Sequence, residues 1–122
     1  MNKNNLALAE AYYTAMKENN GAGMEKCLHS HVQFSSPLAQ LSGKEAVLEA
    51  AKNFAAICEN LKIRAKFGSE DQAMLVFDVG FPAPIGKFPT ASLINFQEGL
   101  ISKIELFYDA RPLEKKKEEI FS

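Results

Sequence analysis

The sequence has few of the features that mark a secreted, membrane or nucleic-acid-binding protein. Its two cysteines, Cys27 and Cys58, are too few for a disulfide framework or a structural zinc site. Both lie in predicted helices among apolar residues, so we expect buried, reduced thiols that serve packing only. The formal net charge is −1, and the basic run 115–117 is followed at once by Glu118 and Glu119. Because this pattern builds no basic surface for phosphates, we expect no nucleic-acid partner.

Long apolar runs are also absent from the N-terminal region. The first residues lead into an alanine-rich amphipathic segment with no run of seven or more apolar residues. We therefore expect neither a signal peptide nor a membrane span, and a cytoplasmic location follows by default. The 122 residues are 47% apolar, which suits one domain over 1–122 that buries roughly two thirds of its unfolded surface.

What the sequence does contain is a succession of helix-like and then strand-like segments. Apolar residues at helical spacing predict helices over about 6–19, over 24–28, and from a capping-box pattern at Ser42–Glu45 to about residue 58. A short strand is predicted over 32–35, and longer strands over 61–67, 73–81, 87–97 and 100–109. The charge run in 113–120 favours a solvated surface turn, although a short helix is also compatible with it.

This order of elements predicts an α+β fold in which helices pack on one curved antiparallel sheet. Such a sheet can wrap around its helices and leave an apolar pocket that is closed at one end, where small molecules bind. Strand 73–81 carries apolar residues on both faces. Its outward face should therefore be covered, and we expect a homodimer through the sheet.

Alternation along the strands predicts which side chains face the pocket. Strand 61–67 alternates apolar and basic residues, which is typical of one buried and one wet face. On strand 73–81, Phe77 and Val79 are expected inward, which leaves Asp78 outward beside Arg64 or Lys62. A register slip of one residue would turn Asp78 inward. The other inward residues are expected to be Ser92, Ile94 and Phe96 on one strand, and Ser102, Ile104, Leu106 and Tyr108 on the last.

Four sequence motifs carry a family resemblance across nearly the whole chain. They are residues 11–16 in the first helix, 31–37, the helix start at 43–47, and 99–101 leading to Tyr108 and Asp109. On these motifs the chain resembles the SnoaL-like branch of the nuclear-transport-factor-2-like (NTF2-like) superfamily. That group includes ketosteroid isomerases, limonene-epoxide hydrolases and polyketide cyclases. The resemblance implies an NTF2-like, cystatin-like α+β roll, a cone-shaped sheet around three N-terminal helices. It does not imply one function, because the superfamily hosts many activities.

Ketosteroid isomerase resembles the chain closely enough to place its three catalytic roles. The tyrosine that donates to the developing oxyanion falls on Tyr12, the general-base aspartate on Ser36, and the second oxyanion donor on Ser92. A serine with no adjacent base cannot take a proton near neutral pH as a desolvated carboxylate can. Isomerisation by that mechanism is therefore not expected. The Asp-Arg-Asp set of the epoxide hydrolases is also missing from the inward positions, although Asp109 and Arg111 keep that chemistry open.

Other chemistry-bearing residues also have plain structural interpretations. Tyr12 and Tyr108 could point their hydroxyls into the pocket, or be aromatic core residues with one hydrogen-bond partner each. His29 and His31 are expected at the end of the second helix, where i,i+2 spacing points them apart, so no metal site is expected. Asp109 is expected to be a turn or capping group.

Our first hypothesis is a homodimeric protein that binds a small, mostly apolar, uncharged molecule without a cofactor. Burying a charged ligand among neutral hydroxyls would cost several kcal/mol. The candidate ligand-binding residues are Tyr12, Ser36, Phe54, Phe77, Ser92, Ile94 and Tyr108, and Phe67, Met74, Phe81 and Phe96 are expected in the core and pocket wall.

Two alternatives stay open. One is a SnoaL-like isomerase, cyclase or hydrolase in which Tyr12 or Tyr108 polarises a carbonyl and Asp78 or Asp109 supplies the base. The other is an interaction module whose pocket is filled by side chains and whose sheet face is the working surface. A cavity that contains a carboxylate would favour the enzyme, whereas a filled core would favour the interaction module.

Overall fold

The molecule is built on one curved six-stranded sheet with helices packed on its inner face. The computed structural model describes residues 2–69 and 71–121, with side-chain surroundings from residue 5 onward apart from residue 70. The helices are α1 (Asn2–Lys17), α2 (Gly21–Glu25), α3 (Lys44–Ile57) and α4 (Lys117–Phe121), with a 3₁₀ helix over Arg111–Lys116. The strands are β1 (Leu28–Ser35), β2 (Gln40–Ser42), β3 (Asn60–Gly68), β4 (Gln72–Gly80), β5 (Lys87–Gln97) and β6 (Leu100–Phe107). The predicted α+β class with a curved sheet is confirmed.

The strand order in the sheet is β2-β1-β6-β5-β4-β3. Strands β3 to β6 form the expected antiparallel run. Strand β1 pairs in parallel with β6 and antiparallel with the short β2, which was not predicted. Pairing with β6 extends β1 back to Leu28, so the prediction that His29 and His31 end a helix is wrong. No helix in the described part of the chain is long and apolar enough to cross a membrane.

Helices α1 and α3 bury the apolar stripes that their sequences predict. On α1, Ala9, Tyr12, Tyr13 and Met16 are buried, and on α3 the buried residues are Val47, Ala50, Ala51 and Ala55. The predicted capping box is wrong. Ser42 still belongs to β2, where its hydroxyl donates to Gln33 Oε1 at 2.8 Å. The N-cap of α3 is Gly43 at φ 94°, with no side-chain cap, a conformation that glycine adopts without strain.

The parity of β4 is as predicted. Phe77 and Val79 are buried on the inner face, while Asp78 points outward and accepts a hydrogen bond from Arg64 at 3.0 Å. Lys87 also lies 3.6 Å from the Asp78 carboxylate. These contacts lower the pKa of Asp78, with the Arg64 hydrogen bond as the largest cause.

A bulge in β3 reverses its predicted alternation. Ile63 pairs with Phe77 but Ala65 pairs with Val76, so Arg64 is an extra residue and the strand changes face there. Phe67 is therefore 63% exposed on the outer face, and its prediction as pocket wall is wrong. Its register partner Met74 also lies on the outer face rather than in the pocket wall. A similar register shift between β5 and β6 makes Ser102 the extra residue and buries Ile101 instead.

The two cysteines are free. The prediction that both lie in helices is wrong, because each lies just outside one. Cys27 is buried between α2 and β1, where its thiol approaches Gly23 O at 3.5 Å. Cys58 directly follows α3, is half-buried, and donates to Asn60 O at 3.1 Å. Burial raises the pKa of both thiols, which favours the unreactive protonated form.

Candidate ligand-binding cavity

An internal cavity lies between α1, α3, the inner face of the sheet and the C-terminal segment, which we define as Arg111–Phe121. Its volume is about 50 Å³, which exceeds the roughly 10–15 Å³ that one water molecule needs. The filled core expected of a purely structural module is therefore not what the chain forms.

Aromatic rings form much of the cavity wall. Phe88, on β5, lies 6.0 Å from Tyr108 between ring centroids, and 5.6 Å from Phe81, which is buried but is not among the lining residues. Phe77, on β4, lies 4.7 Å from the ring of Tyr13 on α1. These separations are typical of favourable tilted and edge-to-face contacts, so the rings support one another from three elements. A wall of this kind suits an apolar, flat or branched molecule.

All three tyrosines of the chain line the cavity. The hydroxyls of Tyr13 and Ser92 are hydrogen-bonded at 2.8 Å, and the Tyr12 ring packs edge-on against Tyr13 at 5.1 Å. Burial raises the pKa of Tyr12 and of Tyr13 well above the ordinary value, with the Ser92 hydrogen bond opposing part of the rise at Tyr13. Burial also raises the pKa of Tyr108, and a hydrogen bond with Ser36 opposes it. Each phenol is therefore neutral at physiological pH.

Thr90 contributes a further hydroxyl to the cavity from β5. The residue is 5% exposed and lies directly across the β4–β5 pair from Phe77. Within 5–69 and 71–121, Thr90 Oγ1 is the one buried side-chain oxygen or nitrogen without a hydrogen-bond partner. A buried hydroxyl in this state costs free energy that a pairing group from a ligand would recover.

Four of the predicted site residues come together here. Tyr12, Phe54, Phe77 and Tyr108 line the cavity from α1, α3, β4 and the residue just after β6. Helical spacing predicts that Tyr12 and Phe54 face the pocket, and strand alternation predicts the same for Phe77 and Tyr108.

The other three predicted site residues lie outside the cavity lining. Ser36 accepts the N–H groups of Leu38 and Ala39, both at 3.2 Å, and reaches the cavity only through Tyr108. Ser92 is fully buried and already paired with Tyr13. Ile94 lies farther along β5, where it is fully buried in the core.

Sequence reasoning missed several lining residues. Thr90 shares the inner face with Ser92, so extending the same alternation by one step would have found it. Tyr13 was placed on the buried stripe but not in the site. Leu113 and Ile120 come from the segment predicted as a solvated turn, yet each is 2% exposed and lines the cavity.

No carboxylate or histidine is among the described lining residues. Asp78 is on the opposite face of the sheet, and Asp109 is bound by Arg111 at 2.6 Å, which lowers the pKa of that carboxyl to about 2. The enzyme alternative that uses either as a base therefore finds no support in the geometry. His29 is also engaged elsewhere: its Nδ1 accepts the His31 N–H at 3.0 Å and its Nε2 lies 2.9 Å from a Glu98 oxygen.

Comparison with known proteins places the fold. No family model and no curated protein matches the sequence. Among solved structures, a steroid delta-isomerase from Pseudomonas aeruginosa matches with a TM-score of 0.80 at 19% identity, covering 96% of this chain and 88% of that one. An NTF2-like protein from Cytophaga hutchinsonii matches with a TM-score of 0.75 at 18% identity, covering 87% and 90%. The chain has the NTF2-like fold.

The same NTF2-like architecture also aligns with a protein of artificial origin. A de novo designed protein with a curved β-sheet matches with a TM-score of 0.85 at 15% identity, covering 97% of this chain and 94% of that one. At such identities the likeness shows the fold alone and carries no function over to this chain.

Proposed function

We propose that this NTF2-like chain binds a small, uncharged, mostly apolar molecule in its internal cavity, and that it does so without the general base of ketosteroid isomerase. The observation that carries the proposal is the chemistry of the lining. Apolar side chains make up most of it, and its described polar groups are the neutral hydroxyls of Tyr12, Tyr13, Thr90 and Tyr108. An ionised ligand would lose its hydration there without gaining a paired charge.

The size of the cavity narrows the class of ligand. The volume of about 50 Å³ is smaller than the ~150 Å³ cavity that takes benzene, and far below the ~300 Å³ at which pockets for drug-sized molecules begin. A molecule of one ring therefore enters only if the cavity widens as it binds. A four-ring steroid would need a much larger expansion.

Toluene and benzoate test this proposal directly, because they share a ring and differ in charge. In titrations of ¹⁵N-labelled protein followed by NMR, we expect toluene to shift the amides of Ala50 and Ala51, which line the cavity from α3. Benzoate should bind at least about tenfold more weakly, since its carboxylate finds no cation in the lining. Equal binding of benzoate, or no binding of toluene, would contradict the proposal.

A matched pair of variants on α3 locates the binding. Ala51 is 7% exposed and lines the cavity, whereas Ala56 on the same helix is exposed. Ala51→Leu should fill part of the space and weaken toluene binding by about tenfold or more, while Ala56→Leu adds the same atoms outside it and should have little effect. Loss of binding in both variants would place the toluene elsewhere.

We also infer that two copies pair through the outer face of the sheet. Phe67 and Phe107 are 63% and 50% exposed there. Strand register places Met74 beside Phe67 and Ala91 beside Phe107, and Val76 and Leu93 continue the same apolar surface. A contiguous apolar patch of this kind is unusual on a monomer. Location in the cytoplasm and a single domain over 1–122 stay predictions.

Analytical ultracentrifugation tests the pairing. The unmodified protein should sediment as a dimer, and Phe107→Glu should raise the dimer dissociation constant at least about tenfold, because a charge would be buried in the patch. Thr14→Glu places the same charge on the exposed side of α1 and should leave the dimer intact. A monomeric unmodified protein would refute the inference.

A further inference from the structure

The unpaired hydroxyl of Thr90 lies beside two phenylalanines. Its register partner on β4 is Phe77, and Phe88 precedes it by two residues on the same inner face of β5. Two of the cavity phenols have other partners, since Tyr13 is bonded to Ser92 at 2.8 Å and Tyr108 to Ser36, and Tyr12 is the third phenol of the lining. Thr90 Oγ1 has no hydrogen-bond partner among the described residues.

Valine has the same shape as threonine and would fill this position without a buried polar atom. A hydroxyl here lowers stability unless something pairs with it. A buried water is held by two to four polar groups. Near Thr90 the register partner Phe77 and the neighbour Phe88 are apolar, and the other inner-face neighbour, Ser92, is already bonded to Tyr13, so few groups are left to hold a water there. The partner that fits is a polar atom carried into the cavity by an otherwise apolar molecule.

We propose that the Thr90 hydroxyl is the anchor for one oxygen of the ligand, so that the ligand is an otherwise apolar molecule of no more than about one ring that carries this oxygen. This inference rests on the proposed function and makes it more specific. A hydroxyl both donates and accepts, so either a carbonyl or an alcohol oxygen satisfies it. The aromatic rings of Phe77 and Phe88 then cover the hydrocarbon part.

Benzyl alcohol and ethylbenzene test the anchor, because they have nearly the same shape and differ at one oxygen. Their affinities are measured by NMR titration for the unmodified protein and for Thr90→Val. We expect the substitution to weaken the binding of benzyl alcohol about tenfold more than that of ethylbenzene, because only benzyl alcohol loses a hydrogen bond. Thr90→Ser keeps the hydroxyl and should restore most of the difference.

The outcomes separate this inference from the proposed function. If both probes bind the unmodified protein and Thr90→Val changes both affinities equally, the anchor is wrong and the cavity remains a binding site. If neither probe binds, the proposed function fails, and the anchor fails with it.

Stability without any ligand provides a second test. Thr90→Val should unfold at the same or a higher urea concentration than the unmodified protein, because the lost hydroxyl has no partner in the folded chain. Ser92→Ala, on the same strand face, should unfold at a lower concentration, because it breaks the bond to Tyr13. A clear loss of stability in Thr90→Val would show that the hydroxyl is already paired, and it would overturn the anchor.

Discussion

The hydrogen bond between Tyr13 and Ser92 joins helix α1 to the middle of the sheet through two buried side chains. Tyr13 is 3% exposed and Ser92 is fully buried, so neither hydroxyl can turn to bulk water if its partner is removed. The residue beside this pair on the same strand face, Thr90, has no such partner. These two hydroxyls, two residues apart, therefore differ in their bonding: that of Ser92 is bonded to the helix, and that of Thr90 is the one that we propose binds a ligand.

We predict that Ser92→Ala lowers the free energy of unfolding by about 1–3 kcal/mol, because it leaves the Tyr13 phenol buried and unpaired. Urea denaturation followed by circular dichroism measures the change. Tyr13→Phe made in the Ser92→Ala background should cost much less than Tyr13→Phe alone, since the bond is already lost. If the two single costs simply add, the hydrogen bond does not couple these residues.

The C-terminal segment is the element that closes the cavity. Leu113 and Ile120 are buried in the lining, the Phe121 ring lies 5.9 Å from Phe34, and the Asn53 side chain donates to Ile120 O at 3.2 Å. The segment is therefore tied to both α3 and β1. Its charged residues face outward, while Leu113 and Ile120 face the cavity, so the segment covers one side of the site.

Leu113→Ala tests this role at the scale of the element. We expect it to lower the free energy of unfolding by about 2–5 kcal/mol, because it removes a buried side chain and enlarges the cavity. Glu114→Ala, at the exposed neighbouring position, should change stability by no more than about 0.5 kcal/mol. Equal, small effects of both substitutions in urea denaturation would mean that the segment does not pack as described.

The elements that local signals define were predictable, and those that depend on distant pairing were not. The bounds of β5 match the prediction because turns at Gly86 and Gly99 flank an alternating run. The histidine region was misassigned because β1 extends by pairing with β6, which lies far along the chain. The bulge at Arg64 leaves no local mark, yet it moves Phe67 to the outer face.

The same distinction applies to the site. Helical spacing and strand parity are enough to predict that Tyr12 and Phe77 line the cavity, because both signals are local. The burial of the C-terminal segment was not predicted, because charged residues around Leu113 dominate its sequence pattern. Only packing against α3 and the sheet decides that Leu113 and Ile120 are buried. Ser36 was a candidate because the family resemblance places the general base at that position. In this chain its hydroxyl oxygen accepts hydrogen bonds from backbone N–H groups of its own turn.

At the scale of the whole molecule, the cavity gathers every tyrosine in the chain around one space. Tyr12 and Tyr13 come from the first helix, and Tyr108 comes from the end of the last strand. Burial raises the pKa of all three phenols above the ordinary value of 10.0. Their ionisation is therefore coupled to the integrity of the entire fold.

This coupling predicts alkaline unfolding with a definite sign. Above about pH 10 the tyrosines of the unfolded chain lose their protons, while those of the folded chain keep them because their pKa values are raised. The unfolded state then binds fewer protons, so stability is fully present below pH 10 and falls as pH rises through the folded-state values. We expect the ultraviolet absorbance of phenolate and the loss of circular dichroism to rise together in one steep transition above pH 10.

Tyr12→Phe should shift that transition to higher pH, because one buried group no longer ionises. Phenolate absorbance that develops near pH 10 while the circular dichroism stays native would show that the tyrosines are open to solvent, and the enclosed cavity would then be wrong.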